Sequence, residues 1–288
     1  MYYLTSLPSY ASTLEKIWYV LFRVICGFVF LFLIAPILII IPLSFNAEPY
    51  FTFTEGMLAL ERSAFSTRWY EMFMSDARWM NSVKNSVVVA FFSTILATAL
   101  GTTAALGLSR SLMPARTFFM SVLISPMVVP LIITAAGIYF FYSSVGLTNS
   151  LVGIILAHTA LGTPFVVITV TATLIGFDHS LTRASAMLGA DPRQTFFKIT
   201  MPLIMPGVIS GALFAFVTSF DEVVVVLFIA LNPAEYTIPR QMWSGIREQI
   251  SPAILAVATC LIGLSIVLMT VLELLRRRSE RLRGMTPQ

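Results

Sequence analysis

The sequence predicts an all-α membrane protein of six transmembrane helices, on three observations. Charge is scarce: 11% of residues are charged, where soluble domains carry about a quarter, and mean hydropathy is +0.87. Residues 24–47, 85–109, 199–220 and 249–272 contain no Asp, Glu, Lys or Arg. At about 1.5 Å per residue, each run is long enough for a hydrocarbon core of roughly 30 Å. The uncharged run 117–177 is too long for one helix and breaks at SSVGLTNS, 143–150, a Ser/Gly/Asn turn cluster. Helices are expected because lipid leaves open backbone groups unsatisfied. A barrel would show alternating segments of about ten residues instead.

The spans fall near 20–44, 84–108, 117–141, 151–175, 204–230 and 253–275. The first is too long in its apolar part for a cleaved signal peptide, no small-residue cleavage site follows it, and a permanent anchor is expected. Before the second lies an outer loop, 46–82, containing TRWYEMFMSDARWM. Its i,i+4 pairs Trp69 with Phe73 and Tyr70 with Met74 suit a helix lying in the interface with aromatics at headgroup level. A docking surface for a soluble protein is the other reading. The second span is rich in small residues, and Gly101 and Ala105 permit close helix approach. The fourth carries a lone histidine, His158, with no acid near it in sequence, so a satisfied helix–helix contact is expected over a proton relay. Cys26 and Cys260 lie inside spans and are expected as small packing residues.

The fifth span is interrupted by Asp221 and Glu222. Acids at membrane depth cost roughly 2.5 kcal/mol or more. Entering near Leu203, the chain reaches Asp221 after about 27 Å, near the outer end of the bilayer. Either the helix ends there in water, or the acids line a path for a cationic solute. Phe216 and Phe220, one turn apart, are placed to offer a cation–π face or to pack between helices.

Six spans put both termini on one side, together with Lys16, Arg23, Arg110, Arg116, Arg183, Arg193, Lys198, Arg276, Arg277, Arg278, Arg281 and Arg283. The other side holds Arg62, Arg68, Arg78, Lys84, Arg240 and Arg247, a ratio of twelve to six that predicts cytoplasmic termini. The net charge of +4 is thus a topology signal, and nucleic acid is not an expected partner. The tail RRRSERLR reads as a stop-transfer anchor, with contact to anionic lipid as the alternative. There is no Walker A phosphate cradle, dinucleotide fingerprint, metal set or Ser/His/Asp set, and neither a catalytic site nor a bound cofactor is expected.

The stretch RASAMLGADPRQTFFKITMP, 183–202, is polar and structured. Asp178 or Ser180 suits the cap of a short helix, and Gly189 suits the left-handed residue that ends it. Asp191, Pro192 and Gln194 restart a helix with a capping-box-like pattern. Phe196 and Ile199 fall three apart on one face, and Pro202 and Pro206 bracket the start of the next span. The expected shape is helix, glycine elbow, helix, with Ala184, Leu188, Phe196 and Ile199 available. It either folds back on its own bundle or docks into a partner.

This segment resembles the coupling loop of ABC importer permeases, whose signature reads EAA, three residues, Gly, nine residues, Ile, any residue, Leu, Pro. Ala184, Gly189, Ile199 and Pro202 match at that spacing; Arg183, Ser185 and Met201 depart from it. The Glu-to-Arg change reverses a charge and leaves the apolar knob. NSVVVAFFSTILATALGTTAALGLSR (85–110) looks like the family's second span. SFDEVVVVLFIA (219–230) and TIPRQMWSGIREQISPAILAVAT (237–259) look like the polyamine (spermidine/putrescine) branch.

The resemblance implies a type I importer permease fold in a bacterial inner membrane: a cytoplasmic segment 1–19, a transmembrane domain 20–275 with its coupling loop at 176–203, and a cytoplasmic tail 276–288. It implies two ATP-binding subunits, which carry the ATP and Mg, a second homologous permease or a second copy, and a periplasmic binding protein. Arg183, Ala184, Ser185, Leu188, Gly189, Ala190, Phe196, Ile199 and Pro202 would couple to the ATPase. Asp221, Glu222, Phe220 and Phe216 would line the solute path by alternating access. The rival class is a secondary transporter or channel, but no internal repeat relates the two halves.

Overall fold

A computed structural model describes residue 10 and residues 12–110, 113–178, 180–248 and 251–282. Parts of the predicted N-terminal segment and tail, Arg283 among them, lie outside these. The described residues are almost entirely helical, with one isolated bridge, Asn46 to Phe65, in place of any strand. The chain forms two compact units: residues 1–73 with 251–265, and residues 74–250 with 266–288.

The first unit opens with α1 (Thr13–Leu43). Ser12 and Glu15 start it as a reciprocal capping box, Ser12 N–H donating to Glu15 Oε2 at 2.7 Å and Glu15 N–H to Ser12 Oγ at 3.3 Å. Its apolar side chains are exposed all round, as on a helix whose solvent is lipid. After it the chain winds through α2 (Glu55–Leu58) and a 3-10 turn to α3 (Arg68–Ser75).

The buried Asn46 organises this loop. Its Nδ2 donates to the carbonyls of Tyr50 and Thr52, both at 3.1 Å, its Oδ1 accepts from Glu48 N–H, and its carbonyl accepts from Trp69 Nε1 at 2.7 Å. Trp69 and Phe73 are buried, and Trp69 packs with Ala253 and Ala256 at the start of α13 (Ala253–Leu282). The Tyr70 hydroxyl bonds Ser44 Oγ at 2.6 Å. This corrects the expectation of an interfacial aromatic anchor. A buried indole N–H needs a partner, and the loop carbonyl supplies it, so the rings hold the loop together instead of facing headgroups.

The second unit is centred on α4 (Ala77–Leu108), α7 (Leu151–Ile175) and α10 (Met201–Asp221). Small residues set their spacing. A Cβ added at Gly101 would lie 2.6 Å from Val166 Cβ, and one at Gly211 would lie 2.8 Å from Val166 Cα. With little hydrophobic drive between helices in lipid, such close packing is the main attraction.

Two predicted spans are corrected. The third, 117–141, is a pair, α5 (Arg116–Val128) and α6 (Leu131–Val145), bent by 101°. Pro130 stands at the bend, and Val129 before it is extended at ψ 133, as a residue ahead of proline prefers. The fifth, 204–230, begins much earlier and stops earlier. A continuous helical rod runs from Pro192 to Asp221, 30 residues, through α9 (Pro192–Thr195), a π turn at Phe196–Thr200 and α10. A short α11 (Val224–Ile229) follows the stop, and α12 (Ile238–Glu248) comes after it.

Four helices among the described residues are long and apolar enough to cross a membrane, or five if the bent pair counts as one span. The apolar part of α13 within them, Ala253–Val267, is shorter.

Candidate functional site: a capped elbow and a broken helix

The elbow lies in the second unit, between α8 (Ser180–Met187) and the rod. Asp178 caps α8, accepting from Ser180 N–H at 2.8 Å and from its hydroxyl at 2.7 Å. At the other end Gly189 has φ +82. Gly189 N–H donates to Ala186 O and Ala190 N–H to Ser185 O, both at 3.1 Å. These are the 5→2 and 6→1 bonds of a Schellman motif, which needs a left-handed residue at this position. No atom lies within 4 Å of a Cβ added there, so backbone conformation, not space, calls for glycine.

Asp191 then accepts from Gln194 N–H at 2.7 Å, and Pro192 occupies the first turn, where its missing N–H is harmless. The Ser185 hydroxyl, buried, bonds the Thr195 hydroxyl and ties the two arms. A serine at the family's alanine position therefore has a partner of its own.

Ala184 and Arg183 are exposed, and Ala190 is half-buried. Met187 and Leu188 form the tip, each 88% exposed. Phe196 and Ile199 are half-buried, and exposed Phe197 stands in their place on the surface. Pro202 is exposed on the rod. The chain passes it without a break because the π turn just before it, closed by Met201 N–H to Phe196 O, loosens the turn that a proline ring would otherwise meet.

The rod ends at Asp221, and the two adjacent acids part there. Asp221 is exposed, whereas Glu222 is 6% exposed. The Glu222 carboxylate accepts from Val225 N–H at 2.7 Å and Val226 N–H at 3.2 Å, capping the first turn of α11. Its Oε2 lies 3.4 Å from His158 Nε2, a close polar contact without hydrogen-bond alignment. His158, 1% exposed, bonds Ser219 Oγ through Nδ1 at 2.8 Å, and Ser93 Oγ donates to Ser219 Oγ at 2.9 Å.

His158 thus makes a helix–helix contact through Nδ1, but its buried Nε2 has no hydrogen-bond partner, and an acid that is distant in sequence stands beside it. Sequence reading missed this juxtaposition, since 64 positions separate the two residues (222 minus 158). Phe216 and Phe220 are half-buried and stack with centroids 5.7 Å apart, 15° between planes.

Beyond the break, the chain is sewn back onto the unit. Asn149 Oδ1 accepts from Leu231 and Asn232 N–H at 2.7 and 3.1 Å. Asn85 Nδ2 donates to the carbonyls of Ala234 and Tyr236, and Ile238 N–H donates to Ser86 Oγ. Asparagine and serine on apolar helices were the available sequence signal for this seam.

Apolar helices of bilayer length, packed through glycines and carrying one capped polar elbow, are the architecture of a multi-pass membrane protein. Residues 97–281 match the family described as binding-protein-dependent transport system inner membrane component, and the chain belongs to that family. It is 31% identical over 252 residues to the spermidine/putrescine transport system permease protein PotC of Haemophilus influenzae, covering 88% of this chain and 95% of that protein. It is 31% identical over 261 residues to the putrescine transport system permease protein PotI of Escherichia coli K12, covering 88% and 90%.

Among solved structures, a bacterial ABC transporter involved in the import of the acidic polysaccharide alginate matches with TM-score 0.74 at 15% identity, over 92% of this chain and 99% of that one. The same kind of transporter in complex with an alginate pentasaccharide-bound periplasmic protein matches with TM-score 0.63 at 16% identity, over 95% and 98%. The fold is therefore that of an ABC importer permease.

Proposed function

We propose that this chain is the membrane-spanning subunit of an ATP-driven importer that carries a small organic cation of the polyamine class into the cytoplasm. The observation that carries the reading is the likeness to spermidine/putrescine permeases over nearly nine-tenths of the chain. In this reading two ATP-binding subunits hold ATP and Mg and grip the elbow, with Met187 and Leu188 entering their grooves. A second permease completes the pore, and a periplasmic binding protein delivers the solute, as a periplasmic protein accompanies the alginate transporter.

ATP binding moves the elbow and the rod with it, and the bundle opens outward. Hydrolysis returns it. Exposed Asp221 attracts the cation, the Phe216–Phe220 pair offers it an aromatic face, and Glu222 adds negative charge one residue deeper. The test is uptake of labelled putrescine and spermidine by cells carrying the system's native genes, with and without this one. Pull-down of the tagged chain from native membranes reads the partners. Uptake that depends on the gene, together with a co-purifying ATPase, is expected. A chain recovered alone, with no gene-dependent uptake of either amine, overturns the proposal and favours the secondary transporter.

A further inference from the structure

Nothing in the backbone sequence requires α10 to stop at Asp221. Residues 220–228, FDEVVVVLF, contain neither proline nor glycine, the usual causes of a break. The four valines at 223–226 are β-branched and weaken a helix only slightly. The break is a side-chain event. In an unbroken helix, Val225 and Val226 N–H would donate to the carbonyls of Asp221 and Glu222, four residues back. Here both donate to the Glu222 carboxylate. The break therefore exists as long as that carboxylate is turned inward.

Its direction is set by a polar chain from three helices. Ser93 Oγ of α4 donates to Ser219 Oγ of α10. Where Ser93 gives its proton to Ser219, and not to the Ala90 carbonyl at 3.2 Å, the Ser219 proton is free for His158 Nδ1 on α7, which is then the acceptor. In that arrangement the ring's N–H is Nε2, on the side of Glu222 Oε2. A buried carboxylate needs such compensation. All four groups are buried.

We propose that His158, oriented by Ser219 and Ser93, is a positioning residue: it holds Glu222 inward as the cap of α11, and so ends the rod at Asp221 with that one acid exposed. Its solute consequence rests on the reading given above; its structural part does not. Without His158 the carboxylate loses its inward partner, the cap loosens, and Asp221 no longer stands at a fixed helix end.

The test compares His158→Ala with His158→Gln in the full-length chain in lipid nanodiscs. The glutamine amide donates at similar reach. Hydrogen exchange is followed at 223–229. His158→Ala is expected to quicken exchange there several-fold, as the buried carboxylate loses its polar neighbour and the cap loosens, and His158→Gln to restore most of the protection.

In cells with the native system, His158→Ala should raise the KM for putrescine more than it lowers the maximal rate, with His158→Gln between it and wild type. Wild-type exchange in His158→Ala, or no rescue by glutamine, overturns the proposal, and quickened exchange with unchanged KM overturns its solute consequence. If the alanine variant does not fold, Ser219→Ala removes only the group that orients the ring. It should quicken exchange about threefold, and wild-type exchange in that variant overturns the proposal equally. If wild-type cells take up no putrescine, the solute reading falls, and exchange alone still decides whether His158 holds the break.

Discussion

Gly189→Ala tests the elbow most directly, because only one physical quantity changes. Gly189 sits at φ +82, where an L-residue with a Cβ is strained by roughly 1–2 kcal/mol. A Cβ at this position has nothing within 4 Å, so no steric cost adds to that strain, and no contact is lost. The strain acts on the two Schellman bonds, Gly189 N–H to Ala186 O and Ala190 N–H to Ser185 O.

A loss of 1–2 kcal/mol lowers the elbow's equilibrium constant of formation about 5- to 30-fold. Where a partner grips only the formed elbow, its affinity for the chain falls in proportion once that form is no longer dominant. The assay is ATP hydrolysed per solute taken up by the reconstituted transporter. Gly189→Ala should raise that ratio several-fold while the chain inserts and purifies normally. Gly189→Asn is the control, since asparagine tolerates the left-handed region, and it should stay near wild type. Wild-type coupling in the alanine variant, or equal damage in both, would refute the argument from backbone strain.

Other outcomes follow from single contacts. Gly211→Ala places a Cβ 2.5 Å from Thr169 Oγ1 and 2.8 Å from Val166 Cα; overpacking of this kind costs roughly 1–3 kcal/mol, read as a lower melting temperature, whereas Gly263→Ala, inside α13 with nothing within 4 Å, should leave it unchanged or raise it slightly. Trp69→Phe leaves the Asn46 carbonyl without its 2.7 Å donor and should cost about 1–3 kcal/mol, seen as faster proteolysis of the 46–67 loop. Asp221→Asn should weaken putrescine uptake, mostly through KM, without changing the yield of assembled transporter. Arg183→Glu, on the exposed face of α8, should leave uptake at or above wild type if the partner groove accepts the family's glutamate; lost assembly would show a groove fitted to arginine.

The elbow was legible because its signals are local. A glycine after the last helical residue and an Asp-Pro pair at the next start are governed by bonds within five residues, and the structure forms each of them. The bend at Pro130 is equally local, but the run 117–141 is apolar throughout, and apolarity says nothing about direction.

The break at Glu222 was not legible. Its partner His158 lies on another helix, and the valine run around it reads as ordinary span. Trp69 shows the same limit from the other side. Aromatics spaced i,i+4 beside a membrane fit an interface anchor and a buried loop core equally well, and only Asn46, distant in sequence, decides between them.

The rod joins the elbow to the acids, and its contacts differ along its length. Near the elbow, α10 meets α7 through Gly207 and Gly211 against Thr169 and Thr173. Those threonines turn their hydroxyls back to their own helix, Thr169 to Phe165 O at 3.0 Å and Thr173 to Thr169 O at 2.9 Å. That surface is smooth and lacks directional bonds from these side chains. Two turns further on, Ser219 bonds both His158 and Ser93, and Glu222 closes on His158.

A displacement that starts at the Ser185–Thr195 tie therefore meets weak, non-directional resistance along the glycine surface. It meets oriented polar bonds where the rod stops, next to Asp221. Packed helices slide in small steps between discrete arrangements, and the Ser219–Glu222 level is where such a step must break and remake hydrogen bonds. A mutation there should change the rate of the transport cycle, while one in the glycine surface should change stability first.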